Sequence, residues 1–441
     1  MIIKRLSYLD PGQVFDLVSE LEEFSILDSS LASEENRYTI IGICPFITLE
    51  QIRGITYVDG NCVNEPFEEV LEGYLKKHRG DYGGPLPFNG GFIGYLSYGY
   101  CLKFENIQSR HKTNTDMPEA FMCCYEHVLV FDLWAKELYL CSMSGTTYVE
   151  ELLKAPRAVT SKPYAAGAQI SYDFEEEEYK RAVSAVIEHI YEGDVYIANL
   201  TQRMIVESKL DPHVLFLKMR ETNPSPFGAF IKHKGVSIVS ASPERFIRIK
   251  DNKISTKPIK GTRPRGKTPE EDARYREELI SSQKDKSELL MIVDLERNDL
   301  NRICVPGSVT VKELFALETY ATVFHLVSTV EGSLKDDAGI SSVLRAMLPG
   351  GSITGAPKIE AMKVIDKLEN SGRDLYTGSI GYLAFNGDAD LNIVIRTAVY
   401  EDGVYTIGIG GGITCESDPS SEYEETLQKG LAFKRIFEEH S

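Results

Sequence analysis

Asp285-Lys286-Ser287-Glu288-Leu289-Leu290-Met291-Ile292-Val293-Asp294-Leu295-Glu296-Arg297-Asn298-Asp299 reads as a helix, and Asp285 and Glu288, three apart, share one face of it. The same spacing recurs in Ser421-Glu422-Tyr423-Glu424-Glu425-Thr426, where Glu422 and Glu425 share a face of a helix expected over 421–439. Either pair alone is equally explained by a solvated helix face. If the two helices converge, four carboxylates meet, and charge at that density calls for a hard cation. Mg2+ suits such a site because it accepts carboxylate oxygens while keeping waters or substrate oxygens as its other ligands.

Two glycine-rich stretches lie between these helices. Pro349-Gly350-Gly351-Ser352-Ile353-Thr354-Gly355-Ala356-Pro357-Lys358 leads into a helix expected over 359–368. A plain turn would explain its glycines; loops that add hydroxyls, a lysine and a helix N-terminus also bind anions. It is not a Walker A loop, because Pro357 precedes Lys358 and Ile359 follows it. The second stretch, Gly408-Ile409-Gly410-Gly411-Gly412-Ile413, follows a strand-like run at 404–407 and reads either as a bulge or as backbone that a ligand approaches closely. Arg396 stands in the apolar, strand-like 392–397, where a guanidinium wants a partner such as a carboxylate.

Upstream, Pro258-Ile259-Lys260-Gly261-Thr262 clamps a lysine between a proline and a glycine turn. A lysine there is ordinarily a solvated loop residue. It becomes a nucleophile only where burial or neighbouring cations lower its pKa.

The 441 residues allow two or three average domains or one large interwoven unit. A 42% apolar and 26% charged composition is that of a globular chain, and no apolar run is long enough to span a membrane. With no export signal at Met1-Ile2-Ile3-Lys4-Arg5-Leu6, the expected location is the cytoplasm. The eight scattered cysteines form neither a zinc motif nor a disulfide framework. A net charge of -18 argues against nucleic acid, so an anionic substrate would need a cation or a focused basic site.

Strand-like runs at 38–43, 128–133 and 138–141 mark a region 1–153; an Ala/Pro/Gly-rich connection at 154–170 separates it from 171–441. The second region opens with a helix expected over 174–191 and strand-like runs at 196–206 and 236–240.

Eight ordered segments then carry a resemblance: SPERF (242–246), PIKGTRPRG (258–266), ELLMIVDLERNDL (288–300), HLVSTVEG (325–332), GGSITGAPK (350–358), GSIGYL (378–383), IRTAV (395–399), and GGGI (410–413) with SEYEET (421–426). Together they resemble the chorismate-utilising enzymes. The resemblance implies an α/β fold of the α+β type: a large two-layered sandwich of antiparallel sheets flanked by helices, as in anthranilate synthase component I, the two regions interwoven in one globular unit.

It further implies chorismate, a dicarboxylate, bound with Mg2+ at Glu288 and Glu425, with Glu422 and Asp285 in support. Arg396 and Tyr382 would grip the enolpyruvyl carboxylate, and Gly410, Gly411 and Gly412 with Ser352 the ring carboxylate. Thr262, Lys358 and the catalytic His325 would complete the pocket. Anthranilate synthases typically carry alanine where Lys260 stands; PIKGT, like Asn199-Leu200-Thr201-Gln202-Arg203, resembles the aminodeoxychorismate branch. In that branch the lysine amine adds at ring C2 as the C4 hydroxyl leaves, with Glu244 of SPERF as general acid, and ammonia then takes C4. Asn223-Pro224-Ser225-Pro226-Phe227-Gly228 and Leu27-Asp28-Ser29 depart from the tryptophan-inhibited pattern of the anthranilate enzymes. No Gly-x-Cys-x-Gly elbow is present, Gly42-Ile43-Cys44-Pro45-Phe46 lacking the second glycine, so the family implies a separate glutamine amidotransferase subunit as ammonia source. No lyase domain is visible either.

Overall fold

The structure is a computed structural model and describes residues 1–33, 36–80, 86–111, 117–154, 167–320 and 323–439. Two runs of antiparallel strands radiate from one long strand, Ala120–Asp132, in which every residue but Glu126 is buried. One run passes through Tyr38–Ile52, Phe24–Asp28, Phe227–His233, Val236–Ser242, Thr397–Glu401, Val404–Ile413 and Ile197–Glu207. The other passes through Gly91–Leu96, Ser379–Ala384, Ala389–Asn392, Arg245–Lys250, Lys253–Thr256 and Val323–Ser333, which also pairs Ile259–Pro264 and Thr310–Thr319.

Both runs cross between the N-terminal and C-terminal parts of the chain. Phe24–Asp28 is bonded to Phe227–His233, and Gly91–Leu96 to Ser379–Ala384. The apolar cores are shared likewise: Leu49, Phe92 and Met122 pack in one cluster with Phe246, Leu289 and Leu326. Burying such side chains contributes about 1.5–3 kcal/mol each, so neither part keeps its core intact without the other. Of the expected connection at 154–170, residues 155–166 lie outside the described residues; Lys154 ends a helix and Gln169 opens a strand.

The acidic stretch is the helix Gln283–Ile303, which Ser282 opens by accepting the Asp285 N–H at 3.3 Å. Leu289, Ile292, Val293, Leu300 and Ile303 bury its inner face. The C-terminal helix, Pro419–Glu438, starts with Asp418 as cap and Pro419 in its first turn. The expected strand at 392–397 is interrupted: one strand ends at Asn392, the next begins at Thr397, and Arg396 between them has a φ of 53°. That left-handed conformation breaks the run and re-aims the arginine. No helix among the described residues is long and apolar enough to cross a membrane.

Candidate active site

The far parts of the two strand runs border one cavity of about 720 Å3. Val404–Ile413 contributes Gly408 to Gly412 to one wall, and Ile259–Pro264 with Val323–Ser333 contributes Lys260, Gly261, Thr262 and His325 to the other. The two acidic helices close it with Asp285 and Glu288 from one, and Glu422, Glu425 and Lys429 from the other. Both acidic helices therefore line one cavity, although among the described residues no three of the four carboxylates bring oxygens within 4.8 Å of one another.

Lys260 owes its position to a bulge. Lys260 pairs with Leu326 and Thr262 with His325, so Gly261 is the extra residue. Its φ is 75°, and an added Cβ would stand 2.8 Å from Leu279 Cδ1 and 2.9 Å from the Asp285 carboxyl carbon, so only glycine fits. Lys260 Nζ donates to the Ser352 carbonyl oxygen at 3.3 Å. Ser352 also reaches Glu244 through its hydroxyl, and the Ile259 backbone N–H does the same from the lysine's own strand. Burial raises the Glu244 pKa, and these two hydrogen bonds with the charge of Lys260 only partly offset it. A buried carboxyl with a raised pKa beside an amine is a proton donor in waiting.

At the acidic end, a Cβ placed on Gly411 would lie 3.3 Å from Lys429 Nζ, 3.4 Å from Glu425 Oε1 and 3.5 Å from Glu422 Oε2. Glycine there leaves the floor open to these groups. Burial raises the pKa of Glu288, with Lys260 and Lys284 opposing it and Asp285 and Glu422 adding to it. Burial likewise raises Glu422, whose Oε1 accepts from Ser417 Oγ at 2.6 Å. For Glu425 burial again pushes upward, but Lys429, 2.7 Å away, brings it below the usual carboxylate range. Mutually repelling oxygen donors of this kind fit a hard divalent cation. In the chain alone, lysines supply the counter-charge, and Asp285 is turned to Arg263, with Nη2 3.2 Å from its Oδ2.

His325 Nδ1 lies 2.9 Å from Thr262 Oγ1. Burial lowers its pKa to about 4, so the imidazole is neutral at physiological pH. Arg396 donates from Nη1 to the Lys429 carbonyl at 2.6 Å and to no carboxylate among the described residues. Tyr376 lines the cavity near it, its ring lying where a Cβ on Gly408 would meet Cγ at 2.1 Å.

Two expectations need correction. Tyr382 is not in the cavity: the alternation of Ser379–Ala384 turns its ring away, against Phe88 at 5.2 Å between centroids. Lys358 is not there either. It opens the helix Lys358–Leu368 but points into the protein, where Nζ meets Asp299 Oδ2 at 2.5 Å. The loop before it therefore presents Ser352 and Ile353 to the cavity and no lysine.

Reading the residues alone missed Tyr376, Asn199 and Lys429. The four-residue spacing of Glu425 and Lys429 was a usable signal for the last. Tyr376 gave none, since it lies in a turn between Asp374 and Thr377, both at positive φ.

Residues 29–435 match the model of a family described as chorismate binding enzyme, and the chain belongs to that family. It is 35% identical over 446 residues to the aminodeoxychorismate synthase component 1 of Bacillus subtilis (strain 168), covering 97% of this chain and 94% of that protein. It is 33% identical to the anthranilate synthase component 1 of Acetivibrio thermocellus, covering 98% and 94%. Among solved structures, anthranilate synthase component I from Streptococcus pneumoniae TIGR4 superposes with a TM-score of 0.82 at 29% identity, covering 90% of this chain and 92% of that one. The large antiparallel α/β architecture agrees with that likeness.

Proposed function

We propose that the protein is the chorismate-aminating component of an aminodeoxychorismate synthase, converting chorismate and ammonia to 4-amino-4-deoxychorismate for 4-aminobenzoate and folate synthesis. The observation that carries this reading is the position of Lys260, an amine in the cavity beside the buried Glu244 carboxyl.

In this reading the free Lys260 amine attacks ring C2, the double bond shifts and the C4–O bond breaks. Glu244 gives its proton to the departing hydroxyl, which leaves as water, and takes one back from the new secondary ammonium. Glu244 then returns that proton to the secondary amine as ammonia attacks C4, the C2–N bond breaks with its electron pair going to the lysine nitrogen, and the new C4 ammonium gives its surplus proton back to Glu244. Nitrogen thus ends para to the ring carboxylate. Without the lysine, direct attack at C2 would give the ortho product.

Arg396 and Tyr376 suit the enolpyruvyl carboxylate, because a half-buried guanidinium and a phenol converge there. The backbone of Gly410 to Gly412 and Ser352 border the space for the ring carboxylate, with neutral His325 and Thr262 beside it. Glu288, Glu422 and Glu425 would hold Mg2+, with Asp285 in support; when bound, the ion supplies positive charge that orients the ring carboxylate. Ammonia would come from a separate glutamine amidotransferase subunit, and the enzyme would work in the cytoplasm.

Product analysis tests the reading. Incubation with chorismate, Mg2+ and an ammonium salt, followed by an aminodeoxychorismate lyase, should yield 4-aminobenzoate. Anthranilate as the main product would assign the protein to the ortho-aminating reaction instead.

A further inference from the structure

Behind the glycine-rich loop, the buried face of Gln283–Ile303 holds a carboxyl that the amination chemistry leaves unused. Glu296 is 2% exposed, and its Oε1 accepts the Gly351 N–H at 3.2 Å. Its Oε2 is buried and has no hydrogen-bond partner among the described residues. Gly351 makes the approach possible, because a Cβ there would meet Leu295 Cδ2 at 2.5 Å and Glu296 Oε1 at 3.2 Å. The next residue, Ser352, touches Glu244 with its hydroxyl and Lys260 with its carbonyl.

We propose that Glu296 is a positioning residue for the amination: by holding the Gly351 N–H it fixes Ser352, and through Ser352 the mutual placement of Glu244 and Lys260. The inference rests on the proposed roles of those two residues. A loop whose carbonyl and hydroxyl meet two reacting groups must be held to a fraction of an ångström, since a shift of about 1 Å at a reacting centre can cost 10²-fold in rate. The loop's own turn does not do this alone. Thr354 N–H reaches Gly351 O at 3.3 Å and Thr354 Oγ1 reaches Gly350 O at 2.9 Å, both within the loop; after Ser352 the loop is held by Arg373 Nη1 on the Ile353 carbonyl at 2.8 Å and by Asn199 N–H on the Thr354 carbonyl at 2.8 Å, and before Ser352 the bond from Glu296 ties it to the helix that also carries Glu288.

The charge state agrees with this role. Burial, then the neighbouring Asp299, push the Glu296 pKa up to about 8, with Lys358 opposing and Glu244 adding to the rise. Near neutral pH it is an uncharged acceptor, so an amide of the same shape should replace it.

Glu296→Gln, Glu296→Asp and Glu296→Leu separate the possibilities in the full-length protein, assayed with chorismate, Mg2+ and ammonium beside amide hydrogen exchange at Gly351 without substrate. Glu296→Leu should lower kcat by about 10-fold or more while chorismate KM stays within about 3-fold, and should speed exchange at Gly351. Glu296→Asp, one methylene short, should behave similarly; Glu296→Gln should restore both readouts. Wild-type kcat and exchange in Glu296→Leu, or equal damage in Glu296→Gln, would overturn the inference. Should Glu296→Leu not fold, the contrast between Gln and Asp decides the same question. A wild type that makes no aminodeoxychorismate would count against the function, whereas exchange at Gly351 still judges the hold on the loop.

Discussion

Lys260 and Ser352, ninety-two positions apart in the chain, meet where Lys260 Nζ donates to the Ser352 carbonyl at 3.3 Å. This contact joins the bulged strand to the glycine-rich loop and puts the amine on the side of the loop that faces Glu244. Replacing the lysine removes the nucleophile and little of the fold, because Lys260 is only half-buried. Lys260→Ala should therefore cut aminodeoxychorismate formation on the order of a thousand-fold or more while chorismate binding by calorimetry survives. Near-full activity in this variant would remove the covalent route.

Glu244 must be protonated when the C4 hydroxyl leaves. Its pKa is raised by burial, so the proton is kept to higher pH than for an exposed carboxyl, and the rate should fall as pH rises through that elevated value. Glu244→Gln should lower kcat by roughly 10²–10⁴-fold and abolish that limb of the pH profile. A wild-type profile in the glutamine variant would show that another group supplies the proton.

The two tyrosines give a paired test of the site's boundary. Tyr376 lines the cavity and Tyr382 packs on Phe88 outside it. Tyr376→Phe should raise chorismate KM several-fold, by about 1 kcal/mol of lost hydrogen bonding, with Tyr382→Phe close to wild type. The reverse pattern would mean that substrate lies elsewhere than in this cavity.

That the family resemblance points to Tyr382 and local sequence passes over Tyr376 has a physical cause. The acidic pairs stand at a spacing that fixes which residues share a helix face, while Lys260, Glu244 and the triple glycine stand in segments that carry the family resemblance. Tyr376 reaches the cavity only because the chain turns left-handed at Asp374 and Thr377 and because Gly408, on a strand distant in sequence, leaves room for its ring. Lys358 misled in another way: a lysine after a glycine loop suggests an anion site, but Asp299, on the buried face of the Gln283–Ile303 helix, captures it. The paired strands that tie Phe24–Asp28 to Phe227–His233 are equally invisible in local sequence, since long-range register depends on both partners.

Glu296 also leaves a mark on stability. Its folded pKa, about 8, exceeds the ordinary 4.5, so its stabilising contribution is fully present below pH 4.5 and is lost as pH rises through 8. The loss is on the order of 1 kcal/mol per pH unit across that window. Glu296→Gln, which does not titrate, should show a smaller fall in Tm between pH 5 and pH 8 than wild type does. Parallel Tm curves would mean that Glu296 is ionised in the folded protein well below pH 8.

The proposed route turns on a covalent bond between Lys260 and the chorismate ring. Intact-protein and peptide mass spectrometry after incubation with chorismate and Mg2+, ammonia withheld, tests it most directly. The expected result is a gain equal to chorismate less one water on the peptide carrying Lys260, discharged on adding ammonium and absent in Lys260→Ala. An unmodified Lys260 in a preparation that turns over rapidly once ammonium is added would contradict it.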